Sequence, residues 1–93
     1  MKNKELTFIT VIGQDKKGIV AKISNLLYKD NVNIEDINQK IMEGYFVMTM
    51  LVDVSSYKKN LQNLINELEI IAKGLNLKIH VQHENIFKMM HRV

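Results

Sequence analysis

Three observations predict an α+β sandwich of β-α-β-β-α-β order. Apolar residues recur at helical spacing in two segments and alternate in four others. Turn residues separate these segments in that order. At 93 residues the chain is expected to form one domain spanning 1–93, with a core over 5–84 and a tail over 85–93.

The first strand is read from Glu5 to Ile12. Leu6, Phe8 and Ile12 share one parity and Ile9 and Val11 the other, so both faces are expected to be covered. A helix is expected from Gly18 to Tyr28, with Ile19, Ile23, Leu26 and Leu27 on its inner stripe and Asp15 placed to cap it. Asn31 can take the left-handed position that ends it. The second strand runs from Asn33 to Met42, but its alternation slips between Ile34 and Ile37, which requires a bulge near Glu35 and Asp36.

Glu43-Gly44 makes a tight hairpin turn into a third strand, Tyr45 to Val54. Its faces are Phe46, Met48, Met50 and Val52 against Tyr45, Val47 and Leu51. Ser55 or Ser56 is expected to cap a second helix with a continuous apolar stripe from Leu61 to Leu75. Leu77, Ile79 and Val81 then alternate with polar residues as a half-buried fourth strand. The closing "NIFKMMHRV" reads as a short apolar helix or hook.

This order is the split βαβ arrangement, a ferredoxin-like βαββαβ sandwich. It has a four-stranded antiparallel sheet with two helices on one face, plus a short C-terminal helix or tail. Right-handed crossovers put strands one and three in the centre and strand two at an outer edge. The other face needs a cover, for which a second copy or the tail is expected.

Composition narrows the function. There is no cysteine, which removes disulfides and thiolate chemistry and suits a cytoplasmic location. "MKNKELTF" lacks the apolar region of a signal peptide, and no apolar run reaches the length of a membrane span. The net charge of +3 comes from interspersed signs, a solvated surface more than a nucleic-acid face. "EGYFVMTM" superficially resembles an RNA-binding third strand, yet Glu43 replaces the basic residue and only Tyr45 supplies an aromatic at the stacking positions. Nucleic acid is therefore disfavoured as a partner.

His80 and His83 differ in strand parity and His91 lies in the tail, so no metal set is formed. Ser24, Ser55, Glu35 and Asp36 make no nucleophile–base arrangement, so neither an enzyme nor a cofactor is expected.

The stretch "IGQDKKGIVAKIS" holds the remaining signal. It passes from a central strand into a helix N-terminus, where unpaired N–H groups and the helix dipole favour an anion. Gly18 permits close approach to the backbone. Asp15 adds a carboxylate, so the loop suits a zwitterion: Asp15 for the ammonium, N–H groups for the carboxylate. On the residues alone the plainer reading is an ordinary turn in which Asp15 caps and Gly18 packs.

The longer pattern "ITVIGQDKKGIVAKISNLLYKDNVNIEDI" resembles the ACT domain, a small regulatory module that often binds amino acids. The length and the ending are similar to a family of small stand-alone ACT proteins, related in turn to the regulator of the glycine cleavage system. The resemblance implies a homodimer or higher homo-oligomer and a small amino-acid ligand. It places the site where the first loop of one subunit meets the start of strand two of its neighbour. The matching positions are Asp15, Lys17, Gly18 and Ile19 in the loop, and Asn33 and Ile34 in the strand. Gly13 stands where some members carry a polar side chain. With no catalytic domain in the sequence, output is expected to pass to a regulated protein partner in trans.

Overall fold

The structure is a computed structural model and describes residues 3–84. The expected C-terminal helix or hook at 85–93 lies outside the described residues. The elements are β1 (Leu6–Gln14), α1 (Ile19–Lys29), β2 (Asn33–Met42), β3 (Tyr45–Asp53), α2 (Leu61–Leu75) and β4 (Leu77–His83). The sheet is antiparallel in the order β2-β3-β1-β4, so the two most apolar strands are central and β2 is an edge, as the crossover argument requires.

Both helices cover one face. Ile9 and Val11 of β1, and Phe46, Met48, Met50 and Val52 of β3, meet Ile23 and Leu27 of α1 and Leu64 and Leu68 of α2 in one cluster. Burying each large aliphatic side chain contributes roughly 1.5–3 kcal/mol. The methionines at 48 and 50 are thus core residues. The opposite face is not fully covered as expected: Leu6, Phe8, Val47 and Leu51 are half-buried, and Ile12 and Tyr45 are exposed.

The β2 register shifts between Ile34 and Asp36, so the bulge falls at Glu35. Glu43 at φ 52° and Gly44 at φ 81° form the hairpin turn, and Asn31 at φ 62° ends α1 in the left-handed region.

Three local expectations need correction. β1 continues through Gly13 to Gln14. A Cβ at Gly13 would lie 2.5 Å from Leu77 Cδ2 and 3.2 Å from the Asn76 carbonyl oxygen, so glycine here lets β4 approach and does not end the strand. Asp15 does not cap α1; Gly18 is the N-cap at φ 86°, with no side-chain cap bond. Neither Ser55 nor Ser56 caps α2. Asn60 does, its Oδ1 accepting from the Asn63 amide at 2.9 Å. The serines come too early because residues 53–57 form their own turn: the amides of Ser55 and Tyr57 donate to Asp53 Oδ1 and the Val54 carbonyl, each at 3.0 Å.

Candidate functional site

The first-loop residues lie together at one end of the sheet. Asp15, Lys17 and Gly18 are exposed, whereas Ile19 turns inward as the first core residue of α1. Gly18 packs against nothing: a Cβ added there meets no atom within 4 Å. Its left-handed φ is what calls for glycine. The backbone N–H of Asp15 donates to the carbonyl oxygen of Gly44 at 3.3 Å, which ties the loop to the β2–β3 turn. Sequence reasoning did not foresee this contact. The register that puts Gln14 opposite Tyr45 produces it.

Asn33 and Ile34 lie at the other end. Asn33 is opposite Asp53, which is opposite Leu6 at the start of β1. A whole strand length, roughly 30 Å at 3.3 Å per residue, separates them from Asp15. One chain therefore does not bring the two halves of the expected site together.

The Asn33 end carries a polar clip that the sequence did not reveal. Lys4 Nζ pairs with Glu35 Oε1, and Asn33 Nδ2 donates to Glu35 Oε2. The bulge makes the clip possible by turning Glu35 out of the regular alternation. Hydrogen bonds from Lys4 and Asn33 hold the Glu35 carboxyl below the usual carboxylate range. Asn33 also lines a hollow of about 280 Å³ with Tyr28, Asn31, Val32 and Ser56. An adjoining hollow of about 250 Å³ is bordered by Lys29, Asp30, Tyr57 and Lys59.

Behind it, Glu67 Oε1 accepts from Tyr57 Oη at 3.1 Å and from Asn63 Nδ2 at 3.2 Å. Asp30 Oδ2 is buried there without a hydrogen-bond partner among the described residues. Burial, then the adjacent Glu67 carboxyl, raises the Asp30 pKa above 3.8. A proton on Asp30 would give this orphaned oxygen a bond to Glu67.

Among the described residues no three His, Cys, Asp or Glu side chains cluster as a metal set. No described helix is long and apolar enough to cross a membrane.

Comparison with known proteins matches this architecture. A family model described as an ACT domain covers residues 5–82. A UPF0237 protein of Methanocaldococcus jannaschii is 51% identical over 85 residues, spanning 91% of this chain and 94% of that protein. An ACT domain protein from Streptococcus pneumoniae superposes with a TM-score of 0.80 at 40% identity, over 92% of this chain and 97% of that one. A putative glycine cleavage system transcriptional repressor shares the fold, with a TM-score of 0.74 at 20% identity over 86% of this chain and 46% of its own. With the βαββαβ order, the loop after β1 and this level of identity in agreement, the chain belongs to the ACT-domain family and, within it, to the UPF0237 proteins.

Proposed function

We propose that the protein is a non-catalytic regulatory module that works as a homodimer, or a higher homo-oligomer, and senses a small amino acid between two subunits. The observation that carries this reading is the position of Asp15 and Asn33 at opposite ends of one sheet, with β2 as its edge. Two copies pairing antiparallel along β2 about a two-fold axis set the start of each β2 beside the hairpin end of the other. The regular stretch from Asp36 to Met42 has Gln39 at its midpoint. With Gln39 on the axis, Ile37 faces Ile41 of the second copy. Asn33 then reaches the level of the second copy's Glu43–Gly44 turn, to which that copy's Asp15 amide is bonded. Ile37 and Ile41 are 41% and 60% exposed in the single chain, and pairing would cover them.

At that junction Asp15 accepts from the ligand ammonium, and the N–H groups at the start of α1 donate to its carboxylate. Asn33 contributes an amide once it leaves Glu35. The signal passes to a regulated protein in trans, and a chain without cysteine suits a cytoplasmic setting.

Thermal unfolding against each of the twenty amino acids tests this. Binding across the subunits stabilises the dimer, by about 2.7 kcal/mol at a hundredfold excess over Kd. The competing reading is a ligand-free interaction module, favoured by the engagement of Asn33 with Glu35. It predicts a dimer whose melting temperature ignores every amino acid.

A further inference from the structure

A groove runs between the outer faces of the two helices. Leu26 of α1 and Ile71 of α2, both half-buried, form its floor, and Lys22, Asn25 and Lys29 wall it around a hollow of about 240 Å³. At Lys29 the groove meets the hollow bordered by Lys58 and Lys59. Four exposed lysines thus follow one track. Among the described residues none of the four has an ion-pair partner. Carboxylates are sparse beside them. α1 contains none. Asp30 borders only the second hollow and is half-buried. Glu67 is occupied by Tyr57 and Asn63. Glu69 stands about 200° round the helix from Ile71, on the far flank of α2.

Gly74 adds a second, independent observation. It lies within the last turn of α2, where glycine weakens a helix relative to alanine. Nothing within the described chain calls for it. The left-handed position that ends α2 is taken by Asn76, and a Cβ at Gly74 meets no atom within 4 Å. Gly74 follows Ile70 by four residues and Ile71 by three, so the three share one flank. Ile70 is 74% exposed there. The flank therefore offers two isoleucines and a bare stretch of backbone that a neighbour can approach closely.

We propose that this groove is the docking surface for an acidic amphipathic helix of another protein. The proposal rests on the reading that output passes to a protein in trans. The apolar stripe of the incoming helix lies on Leu26, Ile70 and Ile71 and comes closest at Gly74, and its carboxylates meet the lysine track. Lys22 and Lys29 are two turns apart on one face, about 10.5 Å, so carboxylates seven residues apart on the partner match them. Charge selects the partner's sign, and the apolar floor distinguishes a helix from a nucleic-acid backbone, which needs phosphate contacts and stacking platforms.

The probe is a synthetic helical peptide of about five turns, with leucine on one stripe, glutamate on its two flanks and alanine and glutamine elsewhere. Added to the isotope-enriched full chain, it should shift the amide signals of Leu26, Ile71 and Gly74. A scrambled peptide of the same composition should bind at least tenfold more weakly. Lys22→Glu with Lys29→Glu should weaken binding at least tenfold. Gly74→Phe should do the same without altering charge, and both variants should keep their helical circular dichroism. Shifts confined to the β2 edge or to the open sheet face would overturn the proposal, as would equal binding of the scrambled peptide. Tighter binding of a single-stranded RNA oligomer at the same salt would make the track a phosphate surface. If the double lysine variant alone sediments as a smaller species, the occupant is a second copy, which also overturns it. Amino-acid-dependent melting of the same protein tests the sensing reading separately, so either can fail without the other.

Discussion

The amide of Asp15 is bonded to the carbonyl oxygen of Gly44 at 3.3 Å, so the loop after β1 rides on the β2–β3 turn. That bond uses only backbone atoms and leaves the exposed Asp15 carboxylate available. Asp15→Ala should therefore change stability by no more than about 0.5 kcal/mol. It should also abolish any amino-acid-dependent rise in melting temperature. A variant that still responds would remove Asp15 as the ammonium partner.

Two glycines should respond to alanine for different reasons. Gly13→Ala forces a Cβ against Leu77 and the Asn76 carbonyl and should cost about 1–3 kcal/mol through overpacking. Gly18→Ala meets no neighbour, and its cost of roughly 1–2 kcal/mol comes from the left-handed backbone. Denaturant titration separates them when each is compared with Gly→Ser at the same site. The larger side chain should worsen position 13 and leave position 18 nearly unchanged relative to alanine.

The proposed β2 pairing places Ile37 against Ile41 of a second copy. Ile37→Lys should shift the protein towards monomer in sedimentation velocity, with its helical circular dichroism kept. Adding Ile41→Glu in the same chain should restore the dimer, because each lysine then faces a glutamate of the other copy. Failure of the second change to rescue would point to another register or another surface.

Two carboxyls give opposite pH responses. Asp53 is held below its usual pKa of 3.8 by hydrogen bonds from the amides of Glu5 and Ser55. Its contribution is present above pH 3.8 and is lost as pH falls through the lower folded value. Asp30 is raised, first by burial and then by Glu67. Its contribution is complete below 3.8 and is lost as pH rises through the higher folded value. Asp30→Asn should thus raise the melting temperature at pH 7 relative to the parent. Asp53→Asn should lower it at pH 7 and flatten the acid limb. An Asp30→Asn variant with an unchanged pH profile would show that the two carboxyls do not share a proton.

Most of the fold was legible because its signals are local. The limits of β2, Asn33–Met42, follow from turn residues on both sides, and its bulge from the parity slip between Ile34 and Ile37. Glu43-Gly44 names its own turn. The misses arise where tertiary contacts decide. Gly13 looked like a strand end because its reason, the approach of Leu77, lies more than sixty residues away in sequence. The Asn60 cap is legible from its place directly before Leu61, while Ser55 and Ser56, equally good cap residues, lie too far upstream, just after β3. Of the site, the residue types were legible and the two-ended placement was not, since only the sheet register reveals it.

The Glu43–Gly44 turn has a kinetic consequence. It closes the one strand pair that is local in sequence; β1 must find both β3 and β4 across long loops. Hairpins close in about 1–10 μs, well before such distant pairings. The β2 edge thus exists before β1 seals the core, and a refolding chain offers it to other chains while its own interior is open. Refolding yield should fall as protein concentration rises, through mispaired edges that form while the interior is still unsealed.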